Sequence, residues 1–237
     1  MFITAGLVVA LGALVQGTVG YGMALVAAPL LALVEPSLVP VPLLLLTSVH
    51  AVLVAVRDWR HADWTGIGWA MAGRLPGTGL GVLAVVALSQ RVFAVLVGLG
   101  VLTCVLLSLL RWRPRPRPGS LLLAGLVSGA GGTAASIGGP PLALLYQEAA
   151  GPRVRGTICG YFVLGSVISL AALAAAGQVT GASLARTVIL APFLLAGFAL
   201  SGPARRLLDN GRTRRAVLAV AAVSAALLLG RVVLTNG

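Results

Sequence analysis

Long uncharged stretches alternate with short polar segments along the whole 237-residue chain. Stretches near or above ~18 apolar residues are typical of membrane spans. Here they cover residues 2–34, 39–56, 64–88, 92–111, 120–147, 155–176, 184–201 and 215–235. The pattern therefore predicts an all-α polytopic membrane protein, and no stretch of the chain has the pattern of a soluble domain.

The first apolar stretch of each half is too long for one span and too short for two. Residues 2–34 would form a helix about 50 Å long, whereas the hydrocarbon core of a bilayer is about 30 Å thick. Glycines interrupt this stretch within 16–22, and they interrupt 120–147 within 129–141. Because glycine weakens a helix and permits a turn, each stretch is expected to form a re-entrant or broken helical hairpin.

The arginines distinguish this hairpin model from eight simple spans. With eight spans, the loop arginines divide eight to eight between the two faces, which violates the expected excess of basic residues in cytoplasmic loops. With two hairpins, 13 arginines share one face and three lie opposite, the 13 being in loops 57–60, 111–117, 153–155 and 205–215. We therefore expect the protein to lie in the inner (cytoplasmic) membrane, with its Arg-rich loops on the cytoplasmic face and both termini on the outer face.

Each half then contains one hairpin and three transmembrane helices. The first repeat covers 1–111 and the second 119–237, with the basic linker 112–118 between them. Three full spans are an odd number, so the second repeat is expected to be inverted relative to the first. In secondary transporters with inverted repeats, the substrate lies near the bilayer midplane where broken helices meet.

The two halves also share a weak sequence register. At an offset of 116 residues, Gly22 aligns with Gly138 and Pro76 aligns with Pro192. These are positions that break a helix or allow close packing, and the two predicted hairpins fall in the same register.

Composition excludes several function classes. Only 9% of the residues are charged, against about 25% in soluble domains. The net charge of +12 comes from arginines, which cluster in short loops and therefore fit membrane topology signals and lipid headgroups better than nucleic acid. The two cysteines form no CxxC or metal-ligand pattern, and no enzyme fingerprint is present, so neither a metal, a cofactor nor catalysis is predicted.

The glycine-rich interruptions are the first candidates for a binding site. A half-helix that begins at a midplane break directs free N–H groups and its positive dipole end into the protein, which suits an anion. The candidate residues are Gln16, Gly17, Thr18, Gly20, Tyr21, Gly22, Thr133, Ser136, Gly138 and Gly139. The alternative is that these glycines only allow close helix packing.

Arg74 is the one charged residue deep in an apolar stretch, and Thr47 and His50 lie inside another. A buried arginine in a membrane needs a partner, and an anionic substrate is a natural one because acidic residues are scarce. Alternatively, Arg74 snorkels to the interface or bonds carbonyls freed by Pro76. His50 either binds substrate, relays a proton or bonds a neighbouring helix.

The remaining titratable residues lie near the predicted span ends. Glu148 is either interfacial or involved in proton coupling, whereas Asp58, His61 and Asp63 lie in a loop and are expected to be solvated. Without a nucleotide-binding domain, pumping would require an ion gradient, such as H⁺ or Na⁺, or a partner ATPase.

At the hairpins the chain resembles the sulfite exporter TauE/SafE family. The family's glycine-rich patterns are similar to residues 16–24, followed by Pro29, and to residues 136–141, and a third pattern is similar to residues 75–81. Four family glycines are replaced here, by Met23, Ala24, Ser136 and Pro140.

The resemblance implies a secondary transporter that moves a small sulfur-containing anion, such as sulfite or an organosulfonate, by alternating access. Two alternatives stay open: an uncoupled anion channel, and a membrane subunit or scaffold of a larger complex. The oligomeric state is not predicted.

Overall fold

The computed structural model describes residues 2–19, 22–109, 114–208 and 212–234, and this part of the chain is helical without a strand. The all-α prediction is therefore confirmed. The described α-helices are α1 Phe2–Val19, α2 Met23–Val34, α3 Val41–Asp58, α4 Trp64–Ala87, α5 Gln90–Leu109, α6 Pro118–Ala135, α7 Gly139–Leu145, α8 Gly151–Ala175, α9 Gly181–Leu208 and α10 Arg212–Leu234.

Helix length and surface composition indicate a membrane protein. Within the described residues, α4, α8 and the 181–204 part of α9 are long and apolar enough to cross a bilayer, and five further apolar helices are shorter. Large apolar side chains are exposed along the helices, among them Leu7, Leu83, Val127, Val188 and Leu227. So extensive an exposed apolar surface is typical of helices that face lipid.

Both overlong stretches are divided into two helices. Gly22 separates α1 from α2 at φ 113°, a conformation that glycine adopts without steric cost. Ser136 ends α6 in the left-handed region at φ 61°, and the next N–H, of Ile137, donates to Gly131 O at 3.0 Å. This bond spans seven residues and satisfies a carbonyl near the end of α6.

In each pair the second helix packs back against the first. A Cβ at Gly12 of α1 would lie 3.1 Å from the carbonyl oxygen of Met23, the first residue of α2. The Ser128 hydroxyl of α6 donates to the carbonyl oxygen of Gly138, which precedes α7. Helices α1 and α2, and likewise α6 and α7, therefore form two helical hairpins.

The remaining predicted spans coincide with α3, α4, α5, α8, α9 and α10 to within a few residues at most ends. The largest difference is at the end of α9, where residue 201 was the predicted limit and the helix continues to Leu208 with Pro203 inside it.

Helices α4 and α6 pack backbone to backbone. Gly73 and Gly77 of α4 face α6, and a Cβ on either would overlap a carbonyl oxygen of α6, that of Leu122 or of Leu126. Helices α1 and α9 pack in a similar way, with Gly197 against the carbonyl oxygen of Ala10. Small residues allow this approach, which gives many van der Waals contacts without a hydrophobic driving force.

The helix pairs form a regular pattern. The most extensive pairs are α4 with α6 and α1 with α9, while α3 packs along α8 and α5 along α10. When α1–α5 are matched in order to α6–α10, the first two pairs exchange and the last two map onto themselves. The chain therefore builds two three-helix groups, α1–α3–α9 and α6–α8–α4, which meet where α3 contacts α8.

Loops from both halves lie together at one end of the molecule. Arg155 pairs with Asp58 at 2.7 Å, and Arg153 pairs with Asp63 at 3.2 Å. Linker residues 114–116 lie beside this cluster. The contact favours the hairpin model, because eight simple spans would separate loops 57–60 and 153–155 onto opposite faces.

The expectation that these aspartates are solvated is wrong. Asp58 is only 6% exposed, and Asp63 accepts hydrogen bonds from Gly66 N–H, Tyr146 O–H and Arg153. His61, which was expected to be solvated with them, is exposed.

Candidate functional site

Residues from both helix breaks line one small cavity between the two three-helix groups. Its walls are Gln16, Gly22, Ala24 and Leu25 at the first break, Ser136, Ile137, Gly139 and Pro140 at the second, Thr47 of α3 and Phe162 of α8. The cavity leaves about 10 Å³ for the centre of a water-sized molecule, which is about enough for one water. The space at the site is therefore very small.

Five residues predicted from the sequence line this cavity, namely Gln16, Gly22, Thr47, Ser136 and Gly139. Gly17 lies beside it, against Ser201 and His50. Gly20 and Tyr21 lie outside the described residues. The remaining predicted residues, Thr18, His50, Arg74, Thr133 and Gly138, are not among the lining residues.

The polar groups of the cavity differ in what they offer. Thr47 donates its hydroxyl proton to Leu44 O at 3.0 Å, and Ser136 donates to Pro40 O at 3.3 Å. Thr18, outside the cavity, likewise donates to Val15 O at 2.8 Å. With the Thr47 and Ser136 protons bound to carbonyls, the buried Gln16 amide is the side chain that brings N–H donors to the cavity wall.

Backbone donors come mainly from the first break. The N–H groups of the first turn of α2 have no partner within the helix, and its residues Ala24 and Leu25 line the cavity. Helix α7 has only seven residues, and Pro140 and Pro141 in its first turn have no N–H. The expected pair of equivalent half-helix N-termini is therefore unequal, and the α2 end has the greater capacity to bind an anion.

Arg74 is fully buried at the centre of the α4–α6–α8 group. Its Nη2 donates to Ser169 Oγ at 2.9 Å, and its Cζ lies 4.9 Å from the centre of the Tyr161 ring. Its Nε and Nη1 have no hydrogen-bond partner, and no described carboxylate lies within ion-pair distance. Arg74 therefore neither snorkels to the interface nor bonds carbonyls freed by Pro76.

Arg74 lies next to the second break without lining the cavity. A Cβ at Gly132 would lie 3.6 Å from both Arg74 Nη1 and Gly138 Cα. Thr133 extends the polar cluster, because its Oγ1 lies 2.7 Å from Ser169 Oγ. Phe162 packs against Gly138 and also lines the cavity, so one aromatic ring borders both the cavity and the second break.

His50 connects α3 to the α1–α9 pair. Its Nε2 donates to Ala13 O at 3.0 Å, and its ring packs edge-on against Phe198 with centroids 5.2 Å apart. The structural hydrogen bond, one of the readings that the sequence leaves open, is therefore present. The ring is fully buried beside Gly17.

The sequence analysis missed four residues of this region: Tyr161, Phe162, Gly165 and Ser169. A signal for three of them is present, because Tyr161, Gly165 and Ser169 are spaced by four residues and so share one face of α8. The spacing alone does not say what that face contacts, which is Arg74 of a helix in the other half.

Comparison with known proteins identifies a family for this chain. The family model described as sulfite exporter TauE/SafE matches residues 5–228, nearly the whole chain. No curated protein and no solved structure matches. The family consists of membrane transporters rather than enzymes, and the helical fold with its lipid-facing apolar surface is that of a membrane protein. The chain belongs to the sulfite exporter TauE/SafE family.

Proposed function

We propose that this protein is a secondary transporter that moves a small sulfur-containing anion, sulfite or an organosulfonate, across the cytoplasmic membrane by alternating access. The observation that carries the proposal is the cavity lined by residues of both helix breaks. It lies between two three-helix groups that meet where α3 contacts α8, so movement of one group against the other would open it to either side.

The chemistry around the cavity favours an anion. The first turn of α2 and the Gln16 amide supply N–H donors, and the positive end of the α2 dipole points the same way. Arg74 supplies a positive charge next to the second break, with no described acid to neutralise it. A buried guanidinium without a counter-ion is costly in a membrane, and an anion bound nearby would reduce that cost.

The size of the cavity supports a carrier rather than a channel. A space for about one water is too small for an oxyanion. The anion therefore enters only after the helices around the breaks move, which is the behaviour of a carrier.

The orientation follows from the arginine-rich loops. Their cytoplasmic location would leave both termini outside and invert the second repeat relative to the first. The clustering of loops 57–63, 114–116 and 145–155 at one end supports this topology. The coupling ion, H⁺ or Na⁺, is a separate question that the same transport assay answers by imposing each gradient in turn.

The proposal is tested with the purified full chain in proteoliposomes loaded with sulfite or sulfoacetate. We expect saturable counterflow, and we expect Arg74→Gln to lower it about ten- to a hundredfold. Hydrogen bonds to charged groups contribute about 1.5–3 kcal/mol, and 1.4 kcal/mol is tenfold. Arg91→Gln is the matched control, because Arg91 is exposed at the start of α5.

Each competing function gives a different result. A channel would give high unitary conductance without counterflow, and a scaffold would give no flux from the purified chain. Counterflow by Arg74→Gln at the wild-type rate would contradict the role of Arg74.

A further inference from the structure

One face of α8 packs against the guanidinium of Arg74. Tyr161, Gly165 and Ser169 are buried and lie at successive turns of this helix. Ser169 accepts a hydrogen bond from Nη2 at 2.9 Å, and the Tyr161 ring lies 4.9 Å from Cζ, within cation–π range. We refer to these three residues as the α8 face.

Gly165 is the residue of this face that leaves room for the guanidinium of Arg74. A Cβ at Gly165 would overlap Cζ and Nε of Arg74. The overlap falls on the end of a flexible side chain rather than on backbone. A methyl group at this position would therefore displace the guanidinium and leave the helix in place.

Thr133 of α6 contacts Ser169, the third residue of the α8 face. Its Oγ1 lies 2.7 Å from Ser169 Oγ, and both hydroxyls are fully buried. Arg74 is thus fixed by a ring, a hydroxyl and a glycine surface, while its Nε and Nη1 remain without partners. A guanidinium with fixed geometry loses less entropy for each bond it forms, so preorganised donors bind an oxyanion more tightly.

The arrangement is not repeated at the equivalent positions of the other half. At the 116-residue offset, Arg74 corresponds to Leu190, and the residues of the α8 face correspond to Leu45, Val49 and Leu53 of α3. At these equivalent positions the α1–α3–α9 group has neither a cation nor a matching polar and glycine face. The repeat supplies two helix breaks but only one guanidinium position.

On this basis we infer that the α8 face positions Arg74 and prepares its guanidinium to bind one oxyanion per chain. Gly165 determines whether the guanidinium reaches that position. The inference rests on the proposed function, because it concerns the same anion. Tyr161, Gly165 and Ser169 act through Arg74 and need no contact with the anion themselves.

The test compares Gly165→Ala with Gly160→Ala in the purified full chain, using sulfite and sulfoacetate as ligands in calorimetry and in the counterflow assay. Gly160 lies on the same helix, where a Cβ would lie 3.2 Å from the flexible tip of Ile67 and in ordinary contact with Trp64 at 3.7 Å. We expect one anion bound per wild-type chain. Gly165→Ala should weaken anion affinity at least about tenfold, which corresponds to the loss of a charged hydrogen bond, and Gly160→Ala should not.

A double-mutant cycle separates positioning from a structural effect. If Gly165 acts only through the guanidinium, Gly165→Ala combined with Arg74→Gln should bind the anion no more weakly than Arg74→Gln alone. Additive losses would overturn the inference, as would wild-type affinity in Gly165→Ala or two anions per chain.

A second variant covers poor folding of Gly165→Ala. Ser169→Ala removes the hydrogen bond to Nη2 without adding volume, and Ser169→Thr retains a hydroxyl. We expect lower affinity in the first and recovery in the second, and equal affinities in both would overturn the inference. Absence of binding and flux in the wild type would instead contradict the proposed function, so the two failures are distinguishable.

Discussion

At the scale of single residues, Asp63 shows how one carboxylate connects the two halves of the chain. It caps α4 through Gly66 N–H at 2.9 Å, accepts from Tyr146 O–H at 3.0 Å and pairs with Arg153 at 3.2 Å. Burial alone would raise the pKa of Asp63, but these hydrogen bonds and the Arg153 charge hold the pKa below its ordinary value. The ionised form is therefore the one that the fold stabilises.

The lowered pKa of Asp63 fixes the sign of a pH effect. Its stabilisation is complete above the unfolded-state pKa of about 3.9 and is lost as the pH falls through the lower folded-state pKa. Asp63→Ala should cost about 1–2 kcal/mol at neutral pH, mainly through the cap and the charged contacts. Thermal unfolding in detergent measures this as a lower Tm.

Asp63→Ser is the matched variant, because serine keeps the helix cap and removes the contacts with Tyr146 and Arg153. Its Tm at neutral pH should lie between those of the wild type and Asp63→Ala. Acidification should narrow the difference between wild type and Asp63→Ser, and a difference that stays constant down to about pH 3 would contradict the assignment.

Residues differ in how far the sequence reveals them. Gly22 and Ser136 were predictable because a break inside an overlong apolar stretch is a local feature. The partners of Asp58 and Asp63 were not predictable, because they lie 97 and 90 residues away and depend on how the halves pack. The α8 face was missed for the same reason.

At the scale of elements, the contact between α4 and α6 depends on glycines at four-residue intervals. Gly73, Gly77 and Gly81 of α4 each lie so close to α6 that a Cβ would overlap its atoms. Gly79, on the same helix, has open space where its Cβ would be. Gly79 is therefore a control position on the same helix.

Gly77→Val should destabilise the protein by about 1–3 kcal/mol or more, because the valine side chain would force the two backbones apart. Gly79→Val should change Tm no more than an ordinary surface substitution does. The measurement is Tm together with the fraction of monodisperse protein in detergent. Equal Tm values for the two variants would mean that the close helix contact does not contribute to stability.

The two hairpins show where the element pattern was and was not predictable. Glycine content and excess length indicated both breaks, and both are present. The same reasoning expected equivalent anion-binding helix ends, but α7 has only seven residues and begins with two prolines. Because proline has no N–H, the first turn of α7 offers fewer backbone donors than the first turn of α2, even though the two breaks correspond in the repeat.

At the scale of the whole molecule, the two three-helix groups each combine helices from both halves of the chain. This exchange was not predictable, because loop lengths and hydropathy fix which segments are helical and leave their partners open. The groups meet in an apolar cluster of Ala51, Val54, Cys159 and Phe198, which lies close to His50 and one helical turn from the Asp58–Arg155 pair. If transport requires the groups to move against each other, this seam between α3 and α8 is where movement must occur.

A cross-link across that seam tests the movement directly. Val54→Cys places a thiol in the cluster that contains the native Cys159, and Cys104→Ala removes the other cysteine. A short bifunctional thiol reagent that joins residues 54 and 159 should abolish sulfite counterflow, because the joined groups can no longer move apart. The same reagent should have no effect when Cys159→Ser is added to this background. Undiminished counterflow in protein shown by mass spectrometry to be fully cross-linked would exclude relative movement of α3 and α8 as the transport step.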